Sequence, residues 1–334
     1  MEPKPEPESE PRPRFINLFT DANIPLKMRK NDVQKFIEQS PLKIKSPGNV
    51  YKLLKYLSSG TYGDVFSAID KEGRKFAIKI TDLGDSNLRE VSYTQQMQKH
   101  CREFIVNLEE AFKYEIKESK TNWLVQIQEL TLGDINNVPL NYNKICDLLV
   151  FLLRAANCLH KNGIAHLDIR QSNILYTENC FKLADFGLAC TDTDNPYAGC
   201  KLRATYIPPS LVNRVFNSDI SFKEAQKIDL WAIGVTIYIE MAKKKHLYDS
   251  RTYLRLNDLN YVYLENLDPV MRNYIVEKVK TIDLEFKKNI KNPKIPLDVF
   301  KHVMELLLDN KYTPASDILR YLTEAVDLSK FKNC

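Results

Sequence analysis

The sequence predicts an α+β fold in two lobes, a small β-rich lobe followed by a larger, mainly helical one. Three observations carry this prediction. The chain has 334 residues, about twice the ~150 of a typical domain. Between Tyr51 and Glu129 the apolar residues come in short β-rich runs separated by turn residues. Beyond Gly133 they fall at helical spacing instead.

Residues 1–14 place five of the chain's 16 prolines among alternating charges, which predicts an extended, solvated tail with no fold of its own. Residues 15–50 form an N-terminal extension with short apolar patches and one helix-compatible stretch, Asn31 to Gln39, expected to pack on the β-rich lobe. That lobe is assigned to 51–132. Its strands are predicted at Tyr51 to Leu57, Asp64 to Asp70, Arg74 to Thr81 and Trp123 to Glu129. A helix at Asn87 to His100, with Leu88, Val91 and Met97 as its apolar residues, interrupts them. The helical lobe is assigned to 133–326. It opens with a helix from Ile145 to His160 that stops near Gly163. Short strands at Ile174 to Tyr176 and Phe181 to Ala184 flank a turn, a polar loop runs from Cys190 to Ala204, and a buried helix spans Ala225 to Met241. Mixed helices complete the lobe, and residues 327–334 are a C-terminal tail.

Composition narrows the function classes. Hydrophobic residues at 44% and charged residues at 27% place the chain among globular proteins. The net charge, 48 − 43 = +5, is too small and too scattered to point to DNA or RNA, so no nucleic-acid partner is expected. Seven cysteines, an odd number with no C-x-x-C pair, argue against a disulfide framework or a zinc site and for a reducing compartment. The first residues lack the apolar stretch of a secretory signal. The richest apolar run, Leu148 to Leu153, ends at Arg154, well short of the ~20 residues needed to cross a bilayer. A soluble, intracellular monomer, in cytoplasm or nucleus and without membrane insertion, is the expectation.

Two groups of motifs carry chemistry. Ser58-Ser59-Gly60-Thr61-Tyr62-Gly63-Asp64-Val65 is a tight turn between strands with glycines where a backbone approaches phosphate oxygens. Alone, it is an ordinary hairpin. Lys79 comes next within an apolar strand, where an ammonium is costly to bury unless an anion meets it. Glu90 on the next helix is a candidate partner. The sharper group is His166-Leu167-Asp168-Ile169-Arg170-Gln171-Ser172-Asn173 before one strand and Asp185-Phe186-Gly187 after the next. A carboxylate able to accept a hydroxyl proton, an asparagine five residues on and a second carboxylate one hairpin away suit metal-assisted phosphoryl transfer. Taken singly, His166 reads as a packed histidine and Asp168 as a turn residue.

In this combination, the chain from about Tyr51 to Leu322 resembles a eukaryotic-type protein kinase. The resemblance implies the bilobal kinase-like fold, ATP and Mg²⁺ as cofactors and protein substrates. It places Ser58, Gly60, Gly63 and Val65 in the loop over ATP, pairs Lys79 with Glu90 and the α/β-phosphates, and makes Asp168 the catalytic base. Asn173 and Asp185 would hold Mg²⁺. Arg170 stands where many serine/threonine kinases carry a phosphate-contacting lysine. Gln128 would gate the adenine pocket, with the backbone of Glu129 to Thr131 meeting the base. Asp229, Trp231 and Gly234 match the family's D-x-W-x-x-G anchor beneath the catalytic loop. Four of the chain's 10 glycines thus fall on family glycine positions, in a sequence where an average ~7% would supply roughly 23.

Departures from the family pattern bear on regulation and specificity. Ser58 replaces the first loop glycine. Leu167 replaces the usual arginine, removing a clamp for an activation-loop phosphate; Thr191, Thr193 and Tyr197 are candidate phosphorylation sites whose favoured reading is a polar, solvated loop. Pro208-Pro209-Ser210 stands for Ala-Pro-Glu, with Lys311 near the place of the arginine that would pair with that glutamate. The His-Leu-Asp loop is similar to those of some herpesvirus-like and other large-DNA-virus kinases. Acceptor class is read from Arg170 and from Gly199 to Tyr206, which carry features of both serine/threonine and tyrosine kinases; the absence of a tryptophan before the Pro-Pro pair favours serine/threonine. A pseudokinase scaffold, a tyrosine or dual-specificity kinase and a small-molecule kinase are the alternatives. The basic run Lys243-Lys244-Lys245 reads as a solvated helix end.

Overall fold

The computed structural model describes residues 34, 43–60, 63–116, 121–178, 180–191, 206–208, 210–211, 215, 220–242, 292–309 and 311–331. The tail 1–14, the Asn31 to Gln39 stretch apart from Gln34, Thr193, Tyr197 and the Lys243 to Lys245 run lie outside them. The chain divides into two units, one holding the residues up to Ser92 with Asn107–Thr131, the other Tyr93–Val106 with everything from Leu132 onward.

The first unit is built on an antiparallel sheet of six strands: β1 (Lys43–Lys45), β2 (Val50–Gly60), β3 (Gly63–Ile69), β4 (Lys75–Asp82), β5 (Leu108–Ile116) and β6 (Thr121–Glu129), in the order β1-β2-β3-β4-β6-β5. Alternation explains its two faces. Phe76, Ile78 and Ile80 of β4 share one face with Phe66 and Ala68 of β3 and Trp123, Val125 and Ile127 of β6, forming an apolar core with Leu53 and Tyr56. Each fully buried isoleucine there contributes about 2–3 kcal/mol. The opposite face carries Ser67, Lys79, Thr81 and Gln126, polar yet buried. Polar groups out of water on a sheet face ask for a reason. The sequence does not predict β1 and β5; β1 is three residues long and β5 carries a register shift between Leu108 and Glu110 that breaks its alternation.

Helix α1 (Asp85–Gln98) starts after Gly84, whose carbonyl accepts the Asn87 and Leu88 amides, and carries Asp85 in its first turn, where a negative charge is favoured. Its buried stripe is Glu90, Thr94 and Met97, at i, i+4 and i+7, whereas the predicted apolar residue Leu88 is exposed. A carboxylate therefore occupies a core position on this helix.

The second unit centres on α2 (Tyr142–Lys161) and α3 (Phe222–Met241). Asn141 caps α2 by accepting the Lys144 amide, and the helix stops before Gly163, which adopts φ +73°. Ser221 and Glu224 form a reciprocal capping box at the start of α3. Nearly every residue of α3 from Ile228 to Met241 is buried. Gly234 lets α4 (Leu297–Leu307) approach: a Cβ there would lie 2.7 Å from Leu308 Cδ2 and 3.1 Å from Leu307 Cβ. Helix α5 (Ala315–Ala325) comes after it. Among the described residues, two small antiparallel sheets accompany these helices. One orders β10 (Phe181–Leu183), β9 (Ile174–Tyr176) and β7 (Gly133–Asp134); the other pairs β11 (Cys190–Thr191) with β8 (Ile164–Ala165). Arg154, the charge that interrupts the apolar run of α2, donates from its two terminal nitrogens to the carbonyls of Phe331 and Leu328, at 2.8 and 2.9 Å, and so ties the last described residues to α2.

The cysteine expectation is corrected. Cys101, in the turn after α1, and Cys158, in the last turns of α2, form a disulfide across 57 residues. Odd parity and the lack of a local pair say nothing about a bond set by the packing of two helices. Among the described residues no helix is long and apolar enough to cross a membrane.

Candidate active site

In the first unit, the register of four strands sets the polar face. Ser58 lies opposite Val65, Val65 opposite Lys79, and Lys79 opposite Gln126. Gly60 faces Gly63 where the hairpin closes. Gly63 has φ +138°, and a Cβ there would sit 2.2 Å from the Ile80 carbonyl oxygen and 2.7 Å from Thr81 Cγ2. Only glycine meets both demands. Gly63 is thus pressed against the strand that bears Lys79. Lys79 Nζ lies 2.6 Å from Glu90 Oε1, both residues buried. That pair explains the carboxylate in the core stripe of α1. Deleting one partner would strand a buried charge, at about 3–5 kcal/mol.

Two glutamines share this face. Gln128 donates its side-chain amide to Gln126 Oε1 at 3.1 Å, and Gln126 is fully buried beside Lys79. The Glu129 carboxylate accepts the Asn107 amide at 2.7 Å, while the Glu129 amide donates to the Asn107 carbonyl at 2.9 Å. The Glu129 side chain is thereby committed to Asn107. Thr131 ends the first unit and is half-buried.

In the second unit, the segment from β8 to Asp185, just past β10, gathers the remaining candidates. Asp168 is buried, its Oδ1 accepting from Arg170 Nε at 3.0 Å and its Oδ2 from Asn173 Nδ2 at 2.7 Å. Asn173 Nδ2 also donates to the Asp168 carbonyl at 2.8 Å. With that nitrogen committed to Asp168, the amide oxygen of Asn173 is turned away from it. The Ala184 amide donates to the Asn173 carbonyl at 2.9 Å, which brings Asp185, the next residue, beside Asn173 in the chain path. A carboxylate and an amide oxygen are hard donors of the kind that magnesium takes, so these two residues fit the ion.

The loop is held from beneath. Asp229, fully buried in α3, accepts the Leu167 amide on Oδ1 at 2.7 Å and the His166 amide on Oδ2 at 2.8 Å, with His160 Nε2 2.9 Å from the same oxygen. His166 accepts the Asp168 amide on Nδ1, which places its proton on Nε2, within 3.1 Å of the Ala184 carbonyl. Its ring packs on Phe186 at 4.8 Å between centroids. The packed-histidine reading of His166 is therefore the one realised. Leu167 and Asp185 adopt φ +64° and +69°. Each such non-glycine residue stores about 1–3 kcal/mol and persists where its surroundings over-determine it.

Three features escaped the sequence. His160 joins the Asp229 network without any motif spacing to mark it. Gln126 is marked only by strand register. Ser210 receives a long, 3.5 Å contact from Lys227 Nζ, a residue that no motif marks as its neighbour.

Comparison with known proteins places these observations in context. A family described as the protein kinase domain matches residues 51–315. The chain is 28% identical over 264 residues to the probable serine/threonine-protein kinase fhkB of Dictyostelium discoideum, covering 72% of this chain and 22% of that protein. It is 29% identical over 223 residues to fhkC of the same organism, also named a probable serine/threonine-protein kinase, covering 61% and 36%. To mitogen-activated protein kinase 13 of Bos taurus it is 28% identical over 237 residues, covering 67% and 60%. The chain thus spans less than two thirds of the length of each of these relatives.

Proposed function

From the premise that the chain belongs to the protein kinase domain family, we propose that it transfers the γ-phosphate of ATP to serine or threonine hydroxyls of protein substrates, with magnesium as its metal. The observation that carries this reading is the state of Asp168: a buried carboxylate aimed by Arg170 and Asn173, in a loop pinned to Asp229. Residues 51–132 serve as the nucleotide-binding lobe and 133–326 as the acceptor and catalytic lobe.

The division of labour follows from the side chains. Ser58, Gly60, Gly63 and Val65 form the cover of the phosphates, and Lys79, aimed by Glu90, neutralises the α/β-phosphates. The backbone of Glu129 to Thr131 meets the adenine, with Gln128 behind it. Asp168 orients the attacking hydroxyl and receives its proton, and Arg170 offers its guanidinium ends to the transferred phosphate. Asn173 and Asp185 would hold magnesium, which supplies charge neutralisation for the phosphates. Catalysis on this plan is alignment and electrostatics more than covalent chemistry. The serine/threonine preference rests on the names of the relatives and on the lack of a tryptophan before Pro208. The likeness of His166-Leu167-Asp168 to large-DNA-virus kinases extends the proposal to a viral origin.

Labelled ATP with generic acceptor proteins and small alcohols, followed by phosphoamino-acid analysis, tests the reading. Phosphoserine or phosphothreonine is expected, with Asp185→Ala abolishing transfer and Asp168→Ala lowering it by orders of magnitude. An Asp185→Ala protein as active as its parent would overturn the assignment. Ser58 and Leu167 favour a second reading, a pseudokinase scaffold; binding of MgATP in a thermal-shift titration without any transfer would establish it.

A further inference from the structure

The short helical turn Gln171–Asn173 lies at the centre of the catalytic loop, and its residues point to different tasks. Arg170 and Asn173, on either side of Gln171, both bond Asp168. Gln171 does not. Its buried carboxamide accepts, on Oε1, the hydroxyl of Tyr206 at 2.9 Å, 35 residues further along the chain. Tyr206 precedes Ile207, fixed in the helical core, and Pro208, whose carbonyl accepts the Leu211 amide. The segment is therefore anchored twice, by packing at Ile207 and by a directional bond at Tyr206.

A buried carboxamide is a costly way to fill space, since a methionine of similar volume packs without needing a partner. What the polar pair adds is direction: a hydrogen bond fixes distance and angle, where an apolar contact tolerates sliding. The bond joins Tyr206 itself to the Arg170 region, and both belong to the sequence on which acceptor class is read. We infer that Gln171 and Tyr206 are a positioning pair that sets the acceptor-binding segment against the catalytic loop, and so governs the use of protein acceptors without governing reaction of the nucleotide with water. This inference rests on the kinase reading above.

The test uses the full chain with MgATP and dephosphorylated casein, measuring KM and kcat for casein and, without casein, the rate of ATP hydrolysis. Tyr206→Phe and Gln171→Met should each raise the casein KM roughly 3–10-fold, the range of one lost hydrogen bond, with ATP hydrolysis within about two-fold of the parent. The double variant should be no worse than the weaker single one, because both remove the same bond. Gln171→Glu, which keeps an acceptor for the hydroxyl, should restore the parent KM. Additive effects, an unchanged casein KM, or hydrolysis that falls in step with phosphorylation would each overturn the inference; the last would make the pair a mere support of the loop. If Tyr206→Phe does not fold, the contrast between Gln171→Met and Gln171→Glu decides. A parent chain inert toward both casein and water sinks the kinase reading itself and the pair with it, a failure recognisable before any variant is made.

Discussion

Replacing Asp229 by asparagine keeps the shape of the side chain and removes its charge. The carboxylate holds three donors, the amides of Leu167 and His166 and the ring of His160, in a site closed to water. Hydrogen bonds to a charged group contribute about 1.5–3 kcal/mol each. An asparagine oxygen can keep one side of this arrangement, but its NH₂ then faces a donor on the other. Leu167 meanwhile holds a φ of +64° that the Asp229 bond opposes relaxing. One or two lost bonds together with a stranded donor give an expected destabilisation of about 3–5 kcal/mol for the second unit. The chain supplies a convenient reporter. Of its two tryptophans, Trp231 sits two residues from Asp229 on α3 and Trp123 lies in the sheet of the first unit. In a Trp123→Phe background, urea unfolding followed by fluorescence therefore reads the second unit alone. Phosphotransfer should fall with stability, since the same amides shape the turn that carries Asp168. A Trp231 transition displaced by less than about 1 kcal/mol would refute the reasoning, because that is the size of a single neutral bond.

Other contacts carry their own expected outcomes. Gly63→Ala should cost about 2–4 kcal/mol, from its positive φ and from the approach of a Cβ to the Ile80 carbonyl, and should weaken MgATP binding in a thermal-shift titration. Cys101→Ser should lower stability by about 2–4 kcal/mol and change migration on a non-reducing gel, reporting the bond to Cys158. Burial pushes the Cys146 thiol up to about 12, so native protein at pH 8 should resist iodoacetamide at this site while unfolded protein reacts. Above the unfolded pKa near ~8.5 the unfolded chain loses a proton that the native one keeps, so this residue's contribution to stability declines as pH rises toward 12. A Cys146→Ala variant should show a shallower alkaline loss in urea titrations.

Legibility in the sequence depended on the range of the interaction involved. Strands β4 and β6 alternate cleanly and can be read directly. Strand β5 cannot, because Leu108-Glu109-Glu110 suits a helix and its register shift breaks the period. On α1 the apolar residues point to Leu88, yet the buried positions are Glu90 and Thr94, since an ammonium from the sheet needs a counter-charge there. In the candidate site, Lys79, Glu90, Asp168, Asn173 and Asp185 are marked by ordered motifs. The structure pairs the first two and gathers the other three in one loop-and-strand segment. His160, Gln126 and the Cys101–Cys158 bond have no local signature, because each acquires its partner only when separate elements pack.

The two-faced sheet of the first unit has a consequence for how this chain can change. Lys79 stands between Ile78 and Ile80, so inserting or deleting a single residue in the first half of β4 would exchange them, driving an ammonium among Phe66, Val125 and Ile127 and turning an isoleucine toward Glu90. Length variation is thereby barred from this strand and diverted to the turns, where adding residues moves no side chain across the sheet.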